Sequence, residues 1–163
     1  MEKKMEKFTV PCVAAIIEKI TNNEKYILIQ TRQKEDGAET NGMLELSAGK
    51  IRKYENIFEA LRKEVKEETG LSITKILGED NQISNFIKGN EVISYTPYCI
   101  TQNLSGAYSI ILNTFLCEAK GELLTETNES QNIHWIKIEE FKKILKNNPE
   151  KTFYYMLMLY KNT

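Results

Sequence analysis

The stretch from Gly49 to Leu71 limits what this chain can fold into more than any other. It opens with Gly49-Lys-Ile-Arg-Lys-Tyr54, which reads as a loop, and then runs from Ile57 to Thr69 without a helix breaker until Gly70. A glycine just past the last apolar repeat is a usual helix terminator, so the spacing predicts a helix over Ile57–Thr69. At about 100° per residue, Phe58, Leu61 and Val65 gather into a stripe that must be buried. Beside that stripe Glu68 lies about 40° to one side of Glu64, and Glu67 about 60° to the other. Three carboxylates therefore share one face within one turn.

Like charges at these spacings destabilise a helix by a few tenths of a kcal/mol per pair, and such a run is ordinarily a solvated face. Three adjacent carboxylates also attract a hard divalent cation. Mg²⁺ takes oxygen ligands in octahedral geometry, keeps several waters, and shares one or two carboxylates with substrate phosphates. A glycine-containing loop ahead of the helix lets the backbone approach metal and phosphate closely.

Around this helix the chain alternates apolar runs with polar turns. Phe8–Lys19 and Tyr26–Arg32 read as a strand hairpin closed at Thr21–Glu24, Gln33–Gly42 as a loop, and Leu44–Leu46 as a short strand. Leu71–Leu77, Glu91–Gln102, Tyr108–Ala119 and Ile133–Ile138 look extended, with turns at Ser105-Gly106 and Gly121. Glu139–Lys146 and Thr152–Tyr160 read as helices. Strands, a glutamate-rich helix, more strands and terminal helices suggest an α/β sandwich with helices on both faces of a mixed sheet.

At 163 residues the expectation is a single domain spanning 1–163. A net charge of −1 provides no basic field for nucleic acid, and no apolar run approaches a membrane span. No signal-peptide core follows the N-terminus, and Cys12, Cys99 and Cys117 are widely spaced, so buried free thiols and a cytoplasmic location are expected. The lone His134 beside Trp135 reads as a packing or surface residue.

The helix segment resembles the Nudix box: Gly, five residues, Glu, seven residues, Arg-Glu, an apolar residue, any residue, Glu-Glu, any residue, Gly, apolar. Gly49, Glu55, Glu64, Val65, Glu67, Glu68, Gly70 and Leu71 match it in register. The order of strands and helices around it is also similar to the Nudix fold, an α/β/α sandwich with a mixed sheet. Two positions depart. The arginine of the box is Lys63 here, with Arg62 one residue earlier, and a lysine lacks the planar bidentate fork. Lys53-Tyr54 stands where many relatives have a Pro-Gly turn.

The resemblance implies Mg²⁺-dependent hydrolysis of a diphosphate linkage in a nucleoside diphosphate derivative, with Mn²⁺ as an alternative ion. It implies Glu64 and Glu68 as metal ligands, and Glu67 as a further ligand or as the base that deprotonates the attacking water. Glu55 would orient the cluster through Lys63. Glu45-Leu46-Ser47-Ala48-Gly49 is similar to the Glu-Leu-Pro-Ala-Gly of the ADP-ribose pyrophosphatase branch, where the alanine carbonyl completes the metal site, so Ala48 and Gly49 join the metal set. In some members a glutamate ahead of a late Trp-containing strand is the base; Glu129, six residues before Trp135, occupies such a place, with Glu126 as runner-up.

Tyr95, Tyr98, Phe115 and Trp135 are candidates for stacking on a base or for core packing, and Gln102-Asn103 for binding a ligand or capping a hairpin. ADP-ribose, nucleotide sugars, nucleoside triphosphates and dinucleoside polyphosphates all remain as substrates. A non-catalytic nucleotide-sensing domain is the alternative. The apolar girth of Phe153–Tyr160 suggests a homodimer.

Overall fold

In the computed structural model, which describes residues 6–33, 39–153 and 156, the chain first reverses at Asn22-Asn23. Both asparagines hold positive φ, 51° and 61°. That conformation matches the twist of the flanking strands and is one asparagine tolerates. It joins β1 (Val10–Thr21) to β2 (Glu24–Arg32) as the expected hairpin.

β1 lies at the centre of the main sheet. On one side it pairs antiparallel with β2; on the other it runs parallel to β9 (Ile110–Lys120), from Val10 opposite Ile110 to Ile17 opposite Cys117. The sheet order is β10 (Ser130–Lys137), β2, β1, β9, β5 (Ser72–Ile76). Three short strands extend it: β3 (Leu44–Glu45) on β2, β4 (Ser47–Lys50) on β1, and β8 (Cys99–Gln102) on β9. A separate hairpin, β6 (Ile83–Ile87) with β7 (Asn90–Ser94), turns at Lys88-Gly89, again with positive φ at both.

Alternation along β1 feeds two cores. Cys12, Ala14 and Ile16 point to one face, where Ile138, Phe141 and Leu145 of α2 (Ile138–Asn147) cover them. Val13, Ala15 and Ile17 point to the other, under Ile57, Phe58, Leu61 and Val65 of α1 (Ile57–Thr69). Phe58, Leu61 and Val65 are the stripe predicted from helical spacing. A strand buried on both faces reads as a continuous apolar run, which is how 12–17 reads. The result is the mixed α/β sandwich with a helix on each face.

Two expectations need correcting, and one strand was not foreseen. The segment 49–54 is not all loop: Ser47–Lys50 is a strand, with Gly49 opposite Val13 and Ala48 opposite Ala14. The extended stretch 91–102 is two strands, broken around Pro97, which has no N–H to give to a ladder. Ile83–Ile87 forms a strand that its exposed, aperiodic sequence did not signal. Of the terminal helix expected over 152–160, on which the homodimer was argued, only 152, 153 and 156 are among the described residues; the rest of it, and 34–38 of the loop before β3, lie outside them. Among the described residues no helix is long and apolar enough to cross a membrane.

Candidate active site

The approach to α1 is a four-residue turn. Glu55 N–H donates to the Arg52 carbonyl at 3.1 Å, and the Glu55 carboxylate takes the Arg52 backbone N–H at 2.8 Å. Tyr54 occupies the third position at φ 64°, where a glycine is at ease and a bulky residue is strained. Asn56 then caps the helix, its side chain accepting the Phe58 N–H at 2.9 Å. At the far end Gly70 sits at φ 79° and donates its N–H to the Lys66 carbonyl.

The helix sets its glutamates at three depths. Glu67 is exposed and Glu64 half-buried, while Glu68 is buried. Glu64 lies directly on Gly49 of β4: a Cβ added there would overlap the Glu64 carboxyl group. Only a residue without a side chain lets the helix carboxylate come this close to the strand. Glu64 is held above the usual carboxylate range, first by burial and then by the charge of Glu67, with Glu129 adding to it; Arg52 and Lys63 pull the other way. Glu68 reaches under β4, where Oε2 accepts from the Ala48 N–H and from Gln30 Nε2, both at 3.1 Å. Burial, reinforced by the nearby charge of Glu45, pushes its pKa up to about 7 against the Ser47 hydroxyl first and then Gln30 and the Ala48 N–H.

Above β4 opens a cavity of about 500 Å³. Glu64 and Glu67 line one side and Ala48, Gly49, Lys50 and Arg52 its edge; Glu129 faces in from the loop before β10. Thr127 orders that loop, its hydroxyl accepting the backbone N–H groups of Glu129 and Ser130 at 3.2 and 3.1 Å. Arg32 also lines the cavity, beside the rings of Tyr108 and Phe153, which pack on each other with centroids 6.3 Å apart. Arg32, at the end of β2, bonds Thr40 at 3.1 Å and pairs with buried Glu45 at 3.4 Å. Its guanidinium lies 5.7 Å from the Tyr108 ring centroid and 5.5 Å from that of Phe153.

Of the residues singled out in the sequence, Ala48, Gly49, Glu64, Glu67 and Glu129 meet around this cavity. Glu68 stands behind them, bonded to the strand. Glu126 is outside the cavity lining and bridges Gln131 instead. The expected link from Glu55 through Lys63 is not what the side chains make. Lys63 Nζ is 3.9 Å from Glu67, whereas Glu55 is engaged by Arg52 at 3.4 Å, and Arg52 also reaches Glu64 at 3.8 Å. The aromatic candidates also sit elsewhere. Tyr95 and Phe115 pack against Phe58 in the core, Lys19 covers Trp135, and Tyr98 is on another surface; Asn103 caps its hairpin on the Tyr108 carbonyl. Arg32, Arg52, Tyr108 and Phe153 were not anticipated. The signal for Arg32 was a charge closing a strand otherwise buried from Ile27 to Gln30.

The donor set suits a small, hard cation that keeps its waters. It is all oxygen, from carboxylates and strand carbonyls, and one member, Glu68, is a buried carboxyl that among the described residues meets neutral donors and no cation. Among the described residues, no three acidic side chains converge tightly enough to form a ready-made cage.

A family model, the NUDIX domain, matches residues 10–157. No curated protein matches the sequence. Solved structures with the same fold include the MutT protein of Methanosarcina mazei Go1, at 20% identity and TM-score 0.62, covering 98% of this chain and 95% of that one. A NUDIX-family hydrolase from Clostridium perfringens aligns at 18% identity and TM-score 0.61 over 96% of both chains. The NUDIX domain of Shewanella oneidensis NrtR, solved with ADP ribose, aligns at 11% identity and TM-score 0.60, covering 88% of this chain and 82% of that one.

Proposed function

This chain belongs to the Nudix family, and from that premise we propose that it is a Mg²⁺-dependent pyrophosphohydrolase acting on a nucleoside diphosphate derivative. ADP-ribose, a nucleotide sugar or a nucleoside triphosphate would be the substrate. The observation that carries the reading is the cavity beside Gly49. Carboxylates of the box helix and of the loop before β10 line one space together with Arg32 and the two aromatic rings beside it.

Glu64, Glu67 and Glu68, with the backbone of Ala48 and Gly49, would hold the cation. The chemistry supplied by bound Mg²⁺ is neutralisation of the diphosphate and acidification of a water. Glu129 lines the cavity near Glu64 and is proposed to take that water's proton, with Glu67 as the other base. The water oxygen bonds to phosphorus as the bridging P–O bond breaks, and the departing phosphoryl oxygen keeps the electron pair. Lys50 at the cavity edge offsets phosphate charge. Tyr108 and Phe153 provide flat apolar surface for a base or sugar. The NrtR domain solved with ADP ribose supports an ADP-ribose-like ligand in a fold of this kind.

The second reading, a nucleotide-binding domain without catalysis, is favoured by Lys63. It reaches Glu67 at 3.9 Å and cannot make the fork of an arginine. A panel of nucleoside triphosphates, ADP-ribose, nucleotide sugars and dinucleoside polyphosphates, with and without Mg²⁺, separates the two. Cleavage of one class only with Mg²⁺ establishes the enzyme, whereas binding without cleavage establishes the sensor.

A further inference from the structure

Glu64 is the helix carboxylate pressed on Gly49, with 14% of its side chain exposed and the charges of Glu67 and Glu129 acting on it. Something must hold it against the acids that share its space. Lys63, the adjacent cation, is directed to Glu67. Among the described residues, the ion pair of the Glu64 carboxylate is with Arg52, at 3.8 Å.

Arg52 is itself gripped. Glu55 takes its backbone N–H at 2.8 Å and its guanidinium at 3.4 Å, and returns its own N–H to the Arg52 carbonyl at 3.1 Å. Glu55 is well covered, with 17% of its side chain exposed, so this turn is a fixed base from which the guanidinium extends. One guanidinium nitrogen, Nη1, faces both carboxylates, Glu55 at 3.4 Å and Glu64 at 3.8 Å.

We infer that Arg52 is the positioning residue for Glu64, with Glu55 as its anchor, so that the turn before the helix does the work that the box pattern gives to position 63. This rests on the hydrolase reading for its kinetic consequence, though not for its metal-binding one. The Arg52 side chain is 57% exposed, and an exposed pair of this kind adds little stability. Its effect therefore falls on where Glu64 sits.

The test combines kinetics with Mn²⁺ binding to the metal-free protein, followed by electron paramagnetic resonance. Substitutions of groups that orient metal ligands typically cost about 10- to 100-fold in affinity or activity. R52Q is expected to lower kcat by that range with KM nearly unchanged. E55Q should do the same, and R52Q/E55Q should be no worse than the poorer single variant, because both break one relay. R52Q/K63R should recover activity by placing a fork at position 63. R52Q should also weaken Mn²⁺ binding. That direction is diagnostic, since deleting a cation beside a cation site strengthens binding by electrostatics alone.

Unchanged kcat, or a raised KM alone, would make Arg52 a bystander or a phosphate contact and overturn the inference. So would additive losses in the double variant, or tighter Mn²⁺ binding. If the parent protein cleaves nothing, the hydrolase reading fails. The Mn²⁺ comparison then decides the inference by itself: weaker binding in R52Q sustains it, and equal or tighter binding ends it.

Discussion

Gly49 and Glu64 are packed so closely that a methyl group cannot be added to the glycine without striking the carboxylate of the helix. The glycine is needed here for the space it leaves beside it. No left-handed backbone angle is involved, since Gly49 is absent from the positive-φ positions. Gly49→Ala is therefore expected to displace the flexible end of Glu64 and leave the sheet intact. Turnover should fall at least about tenfold, with the melting temperature moving by no more than a few degrees. Steady-state kinetics and thermal melts check both; a large loss of stability with kcat preserved would contradict the account.

Tyr54 carries strain that the function does not need. It is exposed, and it holds φ 64° in the turn that fixes Glu55. A bulky residue in the left-handed region costs about 1–2 kcal/mol, part of which glycine gives back through its more flexible unfolded chain. Tyr54→Gly should raise stability by up to about 1 kcal/mol, seen as a melting temperature a few degrees higher with activity retained. A fall in stability would mean that the ring, 5.1 Å from Lys53 Nζ, contributes more than the backbone loses.

Glu68 links stability to pH in the metal-free protein. Its folded pKa, about 7, lies above its ordinary value, because burial disfavours the ionised form. A carboxyl raised in this way contributes stability below its unfolded pKa and loses it as pH rises through the folded one. Between about pH 4.5 and 7 that loss approaches about 3 kcal/mol for a buried group of this kind. Denaturant titrations of the metal-free form should show stability falling across that window. Mg²⁺ should restore more stability at pH 8 than at pH 5.

The same reasoning gives Glu68→Gln two opposite effects. Metal-free protein at pH 8 should become more stable, since the amide keeps the shape and removes the buried charge. Turnover should drop by orders of magnitude. Equal stability and full activity would place Glu68 outside the site.

The helix and its buried stripe were legible because one residue type recurs at one angular spacing. Gly70 marks the end by a conformation that few other residues adopt. Gly49, Glu64 and Glu67 could be named because the box pattern fixes their spacing, and Glu129 because it stands six residues before Trp135. What escaped was set by tertiary contact. Arg52 looks like any surface arginine until the turn closes and brings it to Glu64. Arg32, Tyr108 and Phe153 come from the end of a strand, a loop and the segment after α2. Phe153 reaches the cavity because its N–H bonds to the Leu44 carbonyl, a pairing with no local signature. The strand at Ser47–Lys50 was hidden by its small residues, which carry no apolar alternation.

The most direct test of the central claim is product release from the diphosphate panel with and without Mg²⁺, run on the parent protein and on Glu64→Gln side by side. The account predicts Mg²⁺-dependent cleavage of one nucleoside diphosphate class, reduced by orders of magnitude in the variant while its fold is kept. Cleavage that persists in Glu64→Gln, or that needs no divalent ion, would contradict it.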